Sequence, residues 1–146
     1  MPNNPSTLPA GTYYVGDLCY ALNDRWEEVC FLLDQPGIDF DGPAPTQTVF
    51  TLPDGTVFAC MRTLYGDGQY GTSDYTTVAV DSGTIGAVLA AAVTDQSRLT
   101  DGQVVELKEC IPYRHEGTLY FGEYEVYTAA WAEEEEWDEI EEEEEA

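Results

Sequence analysis

Two β-prone runs, Thr48–Leu52 and Thr56–Met61, flank Pro53-Asp54-Gly55, and no other feature restricts the fold as much. An Asp-Gly pair between such runs is the strongest short-range hairpin cue, because Gly enters positive φ without steric cost and Asp bonds its own backbone. The chain around this hairpin also reads as β. Thr12-Tyr13-Tyr14-Val15 ends at Gly16-Asp17, Thr76–Val80 ends at the turn Asp81-Ser82-Gly83, and Val104–Lys108 alternates. Leu119–Phe121 runs on through Tyr124–Tyr127 toward Trp131 and reads as one strand. Ile85–Val93 is apolar throughout, which suits a buried strand or a short helix, and strand is the reading adopted.

One segment changes period. Trp26, Val29, Cys30 and Leu33 recur at helical spacing, Asn23 or Asp24 supplies a cap, and Glu27 and Glu28 sit in the first turn. A helix is expected through Asp34, stopped by Gln35-Pro36-Gly37. Gly42–Pro45 reads as a loop, and Tyr65–Asp74 as a glycine-rich loop. Together these predict a mainly β, α+β single domain. Six to seven antiparallel strands curl into a barrel or sandwich, with one helix plugging a side. The expected organisation is an extended lead-in over 1–10, a globular domain over 11–132 and a disordered acidic tail over 133–146.

Charge narrows the function. The chain has 29 acidic and 5 basic residues, a formal charge of -24 and a pI near 4.1, so direct binding to nucleic acid or an anionic membrane lacks the clustered bases it needs. Hydrophobic residues at 43% supply a core and separate the chain from wholly disordered acidic sequences. Glu133 to Glu145 hold 11 acids in 13 positions, yet residues 1–132 still carry 18 acids against 5 bases. With no basic-then-apolar leader in Met1–Thr7 and no long apolar window, the expected location is cytoplasmic. Cys19, Cys30, Cys60 and Cys110 show no short repeated spacing, which predicts buried thiols rather than a disulfide framework or a zinc site.

Three stretches carry a resemblance: GTYYVGDLCY at 11–20, YGDGQY at 65–70 and VDSGTIG at 80–86. In that order they resemble a family of small uncharacterised proteins of bacteria and their phages. The resemblance implies a bacterial cell, infected by phage if the chain is phage-encoded, and brings no activity or catalytic residue with it. The acids Asp17, Asp67 and Asp81 lie in these stretches beside glycines, where ordinary turn chemistry accounts for them better than a cation does, so no metal or cofactor is expected. His115 is the only histidine; a Cys19 or Cys110 nucleophile paired with it and oriented by Asp17 has no local support, so no catalytic residue is assigned.

Two binding readings remain. The tail has Trp137 and Ile140 three apart among carboxylates, a pattern suited to a basic groove with an apolar pocket. The candidate partner-binding residues are Glu133, Glu134, Glu135, Glu136, Trp137, Asp138, Glu139, Ile140, Glu141 and Glu142. The expected function is therefore that of a non-enzymatic acidic interaction protein, phage-encoded in keeping with the resemblance, that binds a basic, nucleic-acid-binding protein as a DNA mimic or host-factor inhibitor. The alternative is a small-ligand module in which Tyr14, Asp17, Tyr20, Tyr65, Asp67, Tyr70 and Asp81 line a cleft closed by the glycine-rich loops.

Overall fold

The structure, a computed structural model, describes residues 7–35, 47–63 and 66–128. The tail and Tyr65 lie outside them. Ten strands form two antiparallel five-stranded sheets. β1 (Gly11–Gly16), β2 (Val49–Thr51), β3 (Val57–Arg62), β6 (Thr84–Leu89) and β7 (Gln103–Leu107) make the first, in the order β2-β3-β6-β1-β7. β4 (Gly68–Thr72), β5 (Thr77–Val80), β8 (Tyr113–His115), β9 (Thr118–Phe121) and β10 (Tyr124–Tyr127) make the second, in the order β5-β4-β10-β9-β8. Each sheet has two free ends to its order, so the barrel expected as one option does not close; the arrangement is a sandwich.

The expected hairpin forms in the register that its turn dictates. Phe50 pairs with Phe58 and Thr51 with Val57, Gly55 takes φ +95° in the turn, and the Phe50 and Phe58 rings stack 5.4 Å apart. Parity then sorts the side chains of the first sheet. Tyr13, Val15, Val49, Ala59, Met61, Ile85 and Ala87 turn toward the second sheet and meet Tyr70, Val78, Val80, Leu119, Phe121 and Val126 in one core. Their neighbours Tyr14, Phe50, Phe58, Cys60 and Val88 turn the other way, onto the helices.

Two α-helices form that outer layer, α1 (Leu18–Ala21) and α2 (Trp26–Leu33), joined by a 3-10 turn at Asn23–Arg25. The single helix expected from Asn23 or Asp24 is therefore shorter at its start, and α1 was not anticipated. α1 is one turn long and exists because Asp17 caps it and Leu18 docks under β6, features that leave no periodic trace. Val29 and Leu33 are buried as the helical spacing requires.

Four further expectations are corrected. Gly68–Thr72, read as part of a loop, is strand β4, because Tyr70 and Thr72 face the core while Gly71 needs no side chain on the open face. The run 119–127 is a hairpin, β9 and β10, broken by Gly122 at φ +69° and by Glu123. Arg114-His115-Glu116-Gly117 reads in the sequence as a polar hairpin tip; Glu116 and Gly117, both at positive φ, form that tip, while Arg114 and His115 belong to strand β8. Ile85–Val93 begins as strand β6 and finishes as a 3-10 turn over Ala90–Ala92. The count thus rises from six or seven strands to ten. The ordered body also reaches back to Leu8, which is fully buried and exchanges backbone hydrogen bonds with Cys110.

No described helix is long and apolar enough to cross a membrane.

Candidate functional site

The three motif stretches meet at one corner, where the chain leaves the second sheet on β5 and enters the first on β6. Asp17 is at its centre and is fully buried. Its Oδ2 accepts from the Asp81 and Ser82 amides, both at 2.7 Å, and its Oδ1 accepts from the Ser82 hydroxyl at 2.8 Å and the Cys19 amide at 2.9 Å. Four donors offset the cost of burying a carboxylate, and one of them caps α1. The middle stretch joins through Thr63, whose amide donates to the Gly83 carbonyl at 2.9 Å and whose hydroxyl donates to the Gly66 carbonyl at 2.7 Å.

Glycine is required where the corner is tightest. A Cβ on Gly86 would lie 2.1 Å from the Ala59 carbonyl oxygen and 2.6 Å from Leu18 Cδ1, so α1 docks only over a bare backbone.

Of the candidate ligand residues, Tyr14, Asp17, Tyr20 and Asp81 are joined by hydrogen bonds at this corner. Tyr14 and Tyr70 are fully buried, and their hydroxyls donate to the Asp17 carbonyl at 2.9 Å and the Gly66 carbonyl at 2.7 Å. Tyr20 donates to Asp81 Oδ2 at 2.5 Å and borders a polar hollow of about 190 Å³ with Asp24, Asp95 and Arg98. Asp67 is exposed. Tyr65 and the ten tail residues from Glu133 to Glu142 lie outside the described residues. Among the described residues, no group of three or more His, Cys, Asp or Glu side chains is placed to hold a metal.

Burial, with a further contribution from the Asp17 carboxylate, pushes the Cys19 thiol up to about 12, and burial raises the Cys110 thiol as well. Such environments disfavour the thiolate. Asp17 spends its oxygens on Cys19, Asp81 and Ser82, whereas His115 is exposed on β8 with Glu116 3.7 Å away. All four cysteines are free, with Cys60 buried and the other three partly so.

Electrostatics distinguish the acids from the bases. Asp17 is the only acid buried among the described residues. Arginines are drawn into the framework instead. Arg25 donates to Asp54 and to the Ala92 carbonyl, each at 2.8 Å, Arg98 pairs with Asp101 at 3.3 Å, and Arg114 reaches the Arg62 carbonyl at 2.6 Å. The surface field is negative.

Two surface features were not anticipated. An apolar groove of about 390 Å³ lies between α2 and the β2–β3 hairpin, with Phe31 and Leu32 against Pro53. The outer face of β8, β9 and β10 presents tyrosines to solvent, a consequence of alternation that becomes visible once Leu119 to Tyr127 is split into two strands.

No family model, curated protein or solved structure matches the chain.

Proposed function

We propose that this chain is a non-enzymatic acidic interaction protein that binds a basic, nucleic-acid-binding protein as a DNA mimic or host-factor inhibitor. The bacterial cytoplasm is the setting, and the resemblance of the three motif stretches to bacterial and phage proteins supports it. One observation carries the reading: apart from Asp17, every described acid reaches solvent, while Arg25, Arg98 and Arg114 are spent on internal partners. Carboxylates held on a rigid two-sheet scaffold stand in for phosphates and steer a basic partner to encounter. The tail adds 11 acids between Glu133 and Glu145.

Binding kinetics against a purified basic DNA-binding protein test this. Association is expected to slow as salt rises toward physiological strength, and duplex DNA is expected to compete. Changing every Glu from 133 to 145 to Gln should lower the on-rate, and Trp137→Ala with Ile140→Ala should raise the off-rate. Binding indifferent to salt, or a ternary complex with DNA, rejects the mimicry.

A further inference from the structure

On β8, β9 and β10 the residues alternate cleanly. Leu119, Phe121, Tyr124 and Val126 enter the core, while Tyr113, His115, Thr118, Tyr120, Glu125 and Tyr127 face outward. The register sets Tyr113 beside Tyr120 and Tyr120 beside Glu125, with Tyr127 one pair further along, opposite Thr118 on one side and Gly71 on the other. The Tyr113 and Tyr120 rings stack with centroids 4.6 Å apart and planes 14° from parallel. The Tyr127 hydroxyl donates to the Glu125 carboxylate, and Tyr127 lies within electrostatic range of Tyr120 and Tyr75, which extends the group to the β4–β5 turn. Tyr75 is 97% exposed and adopts φ 69°, and Tyr113 is 52% exposed. Nothing lies within 4 Å of the point where a Gly71 Cβ would stand, so the face beside Tyr127 is open.

Tyr75 and Tyr113 are exposed and Tyr120 and Tyr127 partly exposed, so the outward rings form a partly accessible aromatic face suited to a contact. The charge around it selects the occupant. Glu125 is on the face, Glu116 and Glu123 are on the two turns that bound it, and Asp74 adjoins Tyr75. No outward residue of β8, β9 or β10 is Lys or Arg, and Arg114 turns away to the Arg62 carbonyl. A second copy of the chain or the chain's own tail would bring further negative charge to it. A cationic partner meets no such penalty.

We propose that this face docks an arginine-rich segment of the partner protein, whose guanidinium planes stack on Tyr120 and Tyr127 while the Glu125 carboxylate accepts their hydrogen bonds. The proposal rests on the basic-partner reading and gives it a surface. Arginine is the better occupant because its guanidinium is planar, stacks on aromatic rings and binds a carboxylate with two parallel donors, which a lysine ammonium does not.

Fluorescence anisotropy with labelled octa-arginine and octa-lysine peptides, on the full chain at low and physiological salt, tests it. Octa-arginine is expected to bind the tighter of the two. Tyr120→Ser with Tyr127→Ser should weaken octa-arginine about tenfold, the loss of two exposed cation–π contacts, and abolish the preference over octa-lysine. Since that pair also alters strand surfaces, Gly71→Arg and Gly71→Glu supply a second arm that leaves every tyrosine in place. The first should weaken octa-arginine and the second tighten it. Wild-type binding that survives all these changes, or that shows no arginine preference, overturns the surface and leaves the basic-partner reading standing. Failure of both peptides to bind even at low salt overturns both. Self-association lost in the double tyrosine variant would assign the face to a second copy, and peptide binding that strengthens when residues 129–146 are removed would assign it to the tail.

Discussion

Among the described residues, the first sheet is covered on both faces, by the second sheet and by the helices, whereas the second is covered on one face only. Their sequences differ accordingly. β3 and β6 read Phe58-Ala59-Cys60-Met61 and Ile85-Gly86-Ala87-Val88, all buried, while β9 and β10 alternate buried with partly exposed residues. Continuous apolar runs are usually the mark of parallel sheets, because those are buried on both sides. Here an antiparallel sheet shows the same mark for the same reason. Coverage, not strand direction, decides the pattern. The first sheet buries side chains on both faces, and the second carries the partly exposed ones.

The sharpest way to break this contrast is to truncate one aromatic in each sheet. Phe58→Ala should destabilise by about 3–5 kcal/mol, since the ring is fully buried and stacked on Phe50. Tyr120→Ala, on the outer face, should cost about 1 kcal/mol or less. Urea midpoints measure both, and equal losses would mean that the second sheet is covered after all. Matched glycines give the next largest effect. Gly86→Ala forces a Cβ to 2.1 Å from the Ala59 carbonyl and should cost about 2–3 kcal/mol, whereas Gly71→Ala meets nothing within 4 Å and should be neutral to stabilising by about 0.5 kcal/mol. A smaller effect is expected at the corner that joins the sheets. Asp17→Asn replaces an acceptor of two amides, at Asp81 and Ser82, and should cost about 1–3 kcal/mol. Hydrogen exchange should accelerate at those two turn amides before those of β5 and β6; uniform acceleration would show that Asp17 supports the whole fold rather than the corner.

The elements legible in the sequence are those whose cause is local. Pro53-Asp54-Gly55 specifies the first hairpin, Thr12–Val15 has β-branched and aromatic residues, and Val29 and Leu33 hold a helical period. Those missed have distant causes. β4 is poor in β-formers and becomes a strand because β5 and β10 offer it hydrogen bonds on both sides. β8 is the exception: its partner β9 lies just across the Glu116-Gly117 turn, but three residues are too few for alternation to show. At the candidate sites, Asp17 could be recognised as turn chemistry beside Gly16, but the carboxylate's main partners lie 64 and 65 residues away. Tyr14 and Tyr70 look like cleft aromatics in glycine-rich surroundings, but both rings are buried in the packed interior, and glycines leave the room for Tyr14. A Cβ on Gly16 or Gly102 would press directly on Tyr14.

By itself, the sequence determined the net charge of -24, the turn positions at Asp54-Gly55 and Ser82-Gly83, and which runs can be strands, because each depends on residues adjacent in the chain. Only the tertiary structure decided which strands share a sheet, that the described helices cover the first sheet, and that Tyr113, Tyr120 and Tyr127 gather on one face. Those outcomes depend on covering apolar area and on pairing backbone groups between segments far apart in sequence. The same alternation of buried and exposed residues is compatible with several sheet orders, and the order is selected only when every apolar face finds a cover.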